Sequence, residues 1–206
     1  MQWFPEQSQR VSDKNGLIVL EKSEGYPRVL VDGYSETSEG LNEIWWDAML
    51  RAKAKLNVKV TPCHKLTILI LGLGGGGMVY GVHTLFPHCR IVAVEHDPAM
   101  VALAKELKLY EPFPLPEIVE QDAGEYLSGA TEKYHLTAVD LFRGGEPSPL
   151  LLDTHFLAAL QEKMLPGGVL LLNVAGTQEY LTPAVEHFAH GEIWKFRYNH
   201  LGMFWN

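Results

Sequence analysis

The fold of this chain is decided by the stretch LTILILGLGGGGMVYGVHTLFPHCRIVAVEHD, which runs from Leu66 to Asp97. The stretch opens with an apolar run, Leu66 to Leu71, that is interrupted only by Thr67. Such a run is typical of a strand in a parallel sheet, because a strand buried on both faces has no need of alternating polar residues. We therefore predict that a buried parallel strand begins this stretch.

A glycine-rich turn, a helix and a second strand follow. Gly72 and Gly74 to Gly77 require a tight turn with a bare backbone, since glycine tolerates positive φ without steric cost. The helix is predicted from Met78 to Phe86, and the second apolar strand from Arg90 to Val94. Glu95 ends that strand about 20 residues after the glycines, the spacing at which an acidic side chain meets a ribose in nucleotide-binding βαβ units.

This order of elements indicates a nucleoside site. The glycine loop and the helix N-terminus offer backbone N–H groups and the positive end of a helix dipole. An ionised Glu95 only accepts hydrogen bonds, so it can accept from both hydroxyls of a ribose. The loop GLGGGGM differs from the pattern of typical dinucleotide binders, which favours a sulfonium nucleoside of the S-adenosylmethionine type; a dinucleotide and a ligand-free turn are the alternatives. The predicted contacts are Gly72, Gly74, Gly75, Gly76, Glu95 and His96.

Composition limits the class of protein. The 206 residues are 47% hydrophobic, enough for a domain with a real core. The net charge of −8 argues against a nucleic-acid partner, since phosphate binding needs clustered cations, and it suits a cationic substrate such as an amine. Cys63 and Cys89 lack metal-ligand spacing, so no metal is expected. No segment has the length of a membrane span and the start MQWFPEQSQR lacks the plan of a signal peptide, so we expect a cytoplasmic protein with no membrane partner.

Residues 1–40 differ from the rest and predict a small β-hairpin region ahead of a main domain at 41–206. The two strands of the hairpin are Leu17 to Lys22 and Arg28 to Val31, joined by the turn residues Ser-Glu-Gly-Tyr-Pro. Because two strands alone are only marginally stable, the hairpin must pack on the main domain or on another subunit.

The remaining segments predict an α/β fold with a doubly wound, mostly parallel, seven-stranded Rossmann-like sheet, closed by an antiparallel edge pair as in class I S-adenosylmethionine methyltransferases. In the first helix of the main domain, Trp45 and Trp46 either line a substrate pocket or are core or subunit-contact aromatics. The predicted helices are Glu43 to Lys55, Pro98 to Leu107, Gly124 to Ser128, Asp153 or Thr154 to Met164, and Gln178 to His190. The further strands are Ile118 to Glu120, His135 to Val139, Val169 to Val174, and the edge pair Ile193 to Tyr198 with Gly202 to Trp205.

Two aspartates are predicted at the edge of the sheet that carries the glycine loop. Asp122 follows the third strand and Asp140 ends the fourth, and the carboxyl ends of parallel strands share one edge. Asp122 with Ala123 either accepts from an adenine amino group or caps the helix that follows. The loop LFRGGEPSP at residues 141–149 is well placed to cover a substrate.

From Arg28 to Gly176 the chain resembles the spermidine synthase (polyamine aminopropyltransferase) family, in particular its short bacterial branch, which has the class I methyltransferase fold. The resemblance rests on RVLVDG, LGLGGGG, VEHDPAMVALAKE and QDAGEYL in this order, followed by YHLTAVDLF and FLAALQEKMLPGGVLLLNV. It implies a homodimer that moves an aminopropyl group from decarboxylated S-adenosylmethionine to a small amine such as putrescine. It also implies that Glu95 holds the ribose, that Asp122 and Ala123 receive the adenine, and that Asp140 is catalytic beside the reacting centre.

The chain departs from the family pattern at three positions. Where the family has Asp-Ser-Thr-Asp, this chain has Asp-Leu-Phe-Arg, so Arg143 replaces the second carboxylate and cannot act as a base. Gly75 stands where the loop usually has an acidic residue, and Glu36 is nearest to the place of a family glutamine. The departures leave two alternatives to aminopropyl transfer open: a methyltransferase that uses S-adenosylmethionine, and a catalytically silent nucleoside-binding or assembly protein.

Overall fold

The computed structural model describes residues 7–23, 25–56, 66–143 and 145–206, and Cys63 lies outside them. The described helices are α1 Glu39–Lys55, α2 Gly77–Leu85, α3 Pro98–Leu107, α4 Ala123–Gly129, α5 Thr154–Glu162 and α6 Thr182–His187. The described strands are β1 Gln7–Ser12, β2 Gly16–Ser23, β3 Tyr26–Val31, β4 Tyr34–Thr37, β5 Thr67–Leu71, β6 Arg90–Glu95, β7 Glu117–Glu120, β8 Tyr134–Val139, β9 Phe142–Arg143, β10 Glu146–Pro147, β11 Met164–Ala175, β12 His190–Phe196 and β13 Asn199–Trp205.

The centre of the molecule is a seven-stranded sheet in the order β12-β13-β11-β8-β5-β6-β7. β13 is antiparallel to both of its neighbours, whereas β11, β8, β5, β6 and β7 pair in parallel. This confirms the predicted α/β fold with its mostly parallel sheet and antiparallel edge pair. β5 lies between β8 and β6, so the connections leave it in opposite directions. In an open α/β sheet, ligands bind in the crevice outside the carboxyl ends of the strands at such a point.

Helices cover both faces of this sheet. On one face Ile68 and Ile70 of β5 pack in a cluster with side chains of α1 and α2, and on the other Leu69 and Leu71 pack with α4 and α5. All four β5 side chains are fully buried. This explains the unbroken apolar run in the sequence, because neither face of the strand contacts water. No helix in the described part of the chain is both long and apolar enough to cross a membrane.

The N-terminal region forms a four-stranded antiparallel sheet in the order β1-β2-β3-β4. The predicted hairpin is its central pair, β2 and β3, and it gains β1 on one side and β4 on the other. Ile18, Leu20 and Val29 form one apolar cluster with Met100 and Leu103 of α3. The hairpin therefore packs on the main domain. This is one of the two predicted arrangements, the other being a contact with another subunit. The division of the chain at residue 40 stays a prediction.

Some predicted boundaries differ from those observed. α1 starts earlier than predicted because Ser38 caps it, with its Oγ accepting the N–H of Leu41 at 3.3 Å. The predicted helix from Gln178 to His190 is wrong in extent: a 3₁₀ turn is followed by the short α6, with Pro183 in its first turn. The missing N–H of proline is tolerated in a first turn but not in the interior of a long helix. Residues 141–149 contain the short strands β9 and β10.

Candidate active site

A cavity of about 670 Å³ opens at the carboxyl edge of the sheet, outside the ends of β5, β6 and β8. The glycine loop, the ends of these strands and the turn between β1 and β2 form its walls. Seven of the predicted site residues line it together: Gly72, Gly74, Glu95, His96, Asp122, Ala123 and Asp140. The cavity also lies at the topological switch beside β5, where this fold places its ligands.

The glycine loop crosses directly over the end of β8. Gly72 has a φ of +89°, and a Cβ built on it would lie 2.2 Å from the carbonyl oxygen of Asp140. A Cβ on Gly74 would lie 3.0 Å from the carbonyl oxygen of Glu36, at the end of β4. Glycine at these two positions therefore allows two strand ends to come against the loop.

The other two predicted glycines lie behind the cavity wall. The Gly75 N–H donates to Thr37 Oγ1 at 2.8 Å, so this residue faces the N-terminal sheet. Gly76 caps α2 in the left-handed region, with a φ of 84°. Neither lines the cavity, and their role in ligand binding stays a prediction.

Glu95 is held in one orientation by backbone groups. One carboxylate oxygen, Oε2, accepts the N–H of Leu73 at 3.1 Å, and Oε1 accepts the N–H of Asp97 at 3.0 Å. His96 Nδ1 lies 3.2 Å from Oε1, and its hydrogen bond to Glu95 raises the pKa of His96. A carboxylate has about four acceptor positions, so this buried group retains capacity for donors such as hydroxyls.

Asp97 connects the N-terminal sheet to the central seven-stranded sheet. Its fully buried carboxylate accepts the N–H of Ala99 at 2.8 Å through Oδ1, which caps α3. Its Oδ2 accepts the Ser12 hydroxyl at 2.6 Å and the Asn15 side-chain amide at 2.7 Å. The turn that follows Ser12, including Lys14, is thereby held at the rim of the cavity. The sequence did not predict this link, because Asp97 lies 82 residues from Asn15 and 85 residues from Ser12.

Asp140 is the end of a buried hydrogen-bond network. Oδ1 accepts the Asn173 amide at 2.8 Å, and Oδ2 accepts the Trp45 indole N–H at 2.8 Å. Asn173 Oδ1 in turn accepts the amide of Asn199 at 2.8 Å. Burial raises the pKa of Asp140, and the donors Asn173 and Trp45 act in the opposite direction. Trp45 is thus a core residue that also supports the site, whereas Trp46 is 38% exposed.

The Asp122 carboxylate caps the helix that follows it. Oδ1 accepts the N–H groups of Gly124 at 2.8 Å and Glu125 at 3.1 Å, and the residue is exposed at the cavity. Capping, one of the two predicted roles, is therefore observed. The second oxygen, Oδ2, makes no hydrogen bond to the residues that the structure describes, and the adenine role stays a prediction.

Glu36 is a cavity residue to which sequence analysis gave no role. It lies on β4, and its pKa is raised to about 7, first by burial and then by the charges of Asp140 and Glu95. Three carboxylates, those of Glu36, Glu95 and Asp140, therefore share one cavity, which makes it suited to a cation. The sequence marked this position only as nearest to the place of a family glutamine, and its burial beside two other carboxylates was not predictable.

Arg143 and its loop form a further part of the cavity wall. Arg143 is exposed on β9, lines the cavity and has no ion pair within the described residues. A Cβ on Gly145 would lie 2.2 Å from the ring of Tyr34, so the loop rests against the N-terminal sheet. Residues of the 141–149 loop thus line the cavity, and their role in covering a substrate stays a prediction. In the described ranges, no group of three or more His, Cys, Asp or Glu side chains is placed to hold a metal ion.

The sequence is similar to those of two kinds of transferase, although no family model matches it. A polyamine aminopropyltransferase from Vibrio vulnificus is 27% identical over 135 residues, which cover 63% of this chain and 45% of that protein. An eEF1A lysine and N-terminal methyltransferase homolog from Drosophila melanogaster is 33% identical over 126 residues, covering 55% of this chain and 18% of that protein. The chain thus spans less than half the length of either relative.

Comparison with solved structures identifies the fold. A probable spermidine synthase from Corynebacterium glutamicum has a TM-score of 0.79 at 19% identity, covering 98% of this chain and 80% of that chain. Further spermidine synthases and S-adenosylmethionine-dependent methyltransferases are similar too. The chain is therefore similar in sequence to polyamine aminopropyltransferases and has the class I methyltransferase fold, as its sequence predicted.

Proposed function

We propose that this protein is a transferase that moves the aminopropyl group of decarboxylated S-adenosylmethionine to a small amine such as putrescine. The observation that carries the proposal is the cavity in which Glu95, fixed by the glycine loop, faces the same space as Asp140 and Glu36. A sulfonium nucleoside and an amine are both cations, and three carboxylates in one partly enclosed cavity favour cationic ligands. The similarity to polyamine aminopropyltransferases supports the same reaction.

In the proposed reaction, each of these side chains has one role. Glu95 accepts from the ribose hydroxyls, and Asp122 with Ala123 receives the adenine. Asp140, held by its two donors, lies beside the sulfonium and offsets the positive charge of the two reactants. The amine nitrogen attacks the carbon next to sulfur, and the carbon–sulfur bond breaks. Because the sulfonium is already a good leaving group, the main contribution of the protein is to hold the two reactants in line.

A methyltransferase that uses S-adenosylmethionine itself is the second candidate. Arg143 at the rim favours it, since a fixed cation attracts the carboxylate that S-adenosylmethionine has and its decarboxylated form lacks. The similarity to eEF1A lysine methyltransferase homologs agrees with this candidate.

We also propose that the protein is a cytoplasmic homodimer. The support for a dimer is on the N-terminal sheet, where Val11 and Leu17 are direct cross-strand neighbours with 81% and 41% exposure. Apolar neighbours of this kind on an exposed sheet surface suit a protein contact.

The proposal is tested by calorimetric titration with S-adenosylmethionine, its decarboxylated form and methylthioadenosine, followed by turnover with putrescine. We expect the decarboxylated donor to bind more tightly than S-adenosylmethionine and to be consumed. Glu95→Gln should weaken donor binding about tenfold or more, because it removes a charged acceptor. Glu186→Gln, an exposed residue on α6 outside the cavity, is the matched control.

Three results would contradict the proposal in different ways. Tighter binding of S-adenosylmethionine would favour the methyltransferase. Donor binding without turnover would favour the silent nucleoside-binding protein. Absence of binding by all three nucleosides would refute the site itself.

A further inference from the structure

We propose that Glu36 is the general base of this site, the group that takes the proton from the attacking amine. The assignment rests on the proposed transfer to an amine and adds a residue and a role to it. Its support is a difference in hydrogen bonding among the carboxylates that line the cavity.

Most of these carboxylates are already engaged. Glu95 accepts two backbone N–H groups, and Asp140 accepts one donor on each oxygen, from Asn173 and Trp45. At the rim, Asp122 and Asp153 cap the helices that follow them. A carboxylate that already accepts hydrogen bonds is a weaker base, because those bonds stabilise its charged form.

The Glu36 carboxylate differs from them in its partners. No hydrogen bond or ion pair joins it to another residue that the structure describes, although it lines the cavity. The approach of Gly74 to the Glu36 carbonyl, 3.0 Å from the position of a Cβ, places the end of β4 against the glycine loop. Among the cavity carboxylates that the structure describes, Glu36 is therefore the one that is neither hydrogen-bonded nor exposed, and it lies beside the loop on which the donor is proposed to bind.

The surroundings of Glu36 favour proton acceptance. Burial, followed by the charges of Asp140 and Glu95, raises its pKa to about 7. The other charged or titratable groups of the cavity near these walls are Lys14 and Asp13 on the β1–β2 turn, His96 after β6, and Arg143 on β9. A base is most effective when its pKa lies near the working pH, since it is then both ionised and able to hold a proton.

Arg143 cannot take this role, because a guanidinium remains protonated. Arg143 lines the cavity from β9, so the wall also carries one cation. A protonated amine is repelled by this cation and attracted by the carboxylates.

The proposed step balances in atoms and charge. The neutral amine nitrogen forms a bond to the carbon next to sulfur, and the carbon–sulfur bond breaks. Its electron pair stays on sulfur, which becomes a neutral thioether. The nitrogen becomes positively charged as it gains its fourth bond, and one of its protons passes to the Glu36 carboxylate. Protonated Glu36 returns the proton to water when the products leave.

The experiment compares the wild type with Glu36→Gln, an isosteric change that removes the ability to take a proton together with the negative charge. We expect kcat to fall at least about 100-fold, with donor affinity by calorimetry changed less than about threefold. In the wild type, kcat/KM should rise with pH through about 7, separately from a second rise as the free amine loses its proton near about 10. Glu36→Gln should retain the second rise alone. Glu39→Gln, an exposed residue of α1 outside the cavity, is the control.

A double variant tests the role from a second position in the cavity. Adding Arg143→Asp to Glu36→Gln supplies a carboxylate at another point of the cavity, and we expect it to recover part of the lost rate. Glu36→Asp, which keeps an acid on a shorter side chain, should lie between the wild type and Glu36→Gln. Glu36→Asp remains informative where Glu36→Gln folds poorly.

The outcomes separate this assignment from the proposed function. A wild type that turns over, with a Glu36→Gln variant that is equally active, would overturn the role of Glu36 alone; Glu36 would then merely fill the place of a family glutamine. A wild type that binds the donor and transfers to no amine would overturn both. Glu36 is supported as the general base if Glu36→Gln loses most of kcat, keeps donor binding and no longer shows the rise of kcat/KM near pH 7.

Discussion

The link between Asp97 and the turn after Ser12 can be broken by one substitution, Asp97→Ala. The substitution removes the cap of α3 and, at the same time, the acceptor for the Ser12 hydroxyl and the Asn15 amide. We expect a large loss of stability, and a β1–β2 turn that no longer holds its place at the rim of the cavity.

The expected loss can be estimated from the three hydrogen bonds. An N-cap aspartate contributes about 1 kcal/mol. A hydrogen bond to a charged, buried group contributes at least about 1.5 kcal/mol, and two of them connect Asp97 to the turn. The total of about 4 kcal/mol is a large part of the roughly 5–15 kcal/mol by which a domain is stable.

Urea denaturation measures this loss, and Asp153→Ala is its matched control. Asp153 also caps a helix, with its Oδ1 accepting the N–H of His155 at 2.8 Å, but it holds no second segment. The control should therefore lose only about 1 kcal/mol. Amide hydrogen exchange of Lys14 and Asn15, whose N–H groups donate to Ser12 Oγ, should accelerate in Asp97→Ala alone. Equal losses in the two variants, with unchanged exchange, would refute a role for Asp97 in joining the two sheets.

Two further predictions concern the loop and the cavity. Gly72→Ala should lower the free energy of unfolding by about 3 kcal/mol or more, because the Cβ meets a backbone oxygen. Gly167→Ala, at a φ of +74° with no atom within 4 Å, should lose only about 1 kcal/mol in the same urea titration, and a similar loss in both would contradict the contact. Because the folded state raises the pKa of Glu36, it favours the neutral carboxyl group. The contribution of this group to stability is complete below about pH 4.5, the pKa of a free glutamate, and is lost as the pH rises through about 7. Glu36→Gln should therefore raise the free energy of unfolding at pH 8, by up to about 3 kcal/mol, and leave it unchanged at pH 4; an equal effect at both pH values would exclude the raised pKa.

The sequence predicted those parts of the molecule that depend on local patterns. The βαβ unit, the glycine turn and the position of Glu95 follow from residues that are neighbours in the chain. Asp140 at the end of β8 followed from one rule, that parallel strands end at the same edge. The edge pair of β12 and β13 was equally predictable, because β-prone runs separated by a short turn pair with each other.

The supports of the site could not be predicted, because they depend on contacts between distant segments. Trp45 reaches Asp140 across 95 residues, and Asn173 reaches it across 33. From sequence alone, Trp45 was equally a pocket or a core residue. Only the packing of α1 against the sheet shows that it is a buried residue whose indole donates to the site. The role of Glu36 depends likewise on the docking of the N-terminal sheet.

That docking divides the cavity between two parts of the chain. Residues after Leu66 supply the glycine loop and Glu95, the proposed donor side, whereas residues before Thr37 supply Glu36 and the β1–β2 turn. The two walls are therefore encoded by separate segments of the chain, which contacts such as those of Asp97 with Ser12 and Asn15 hold together. In the proposed reaction, a substitution in the N-terminal sheet would alter the acceptor side of the cavity, while the nucleoside would keep its contacts with the glycine loop and Glu95. A change of acceptor would then need no change in the nucleotide-binding unit.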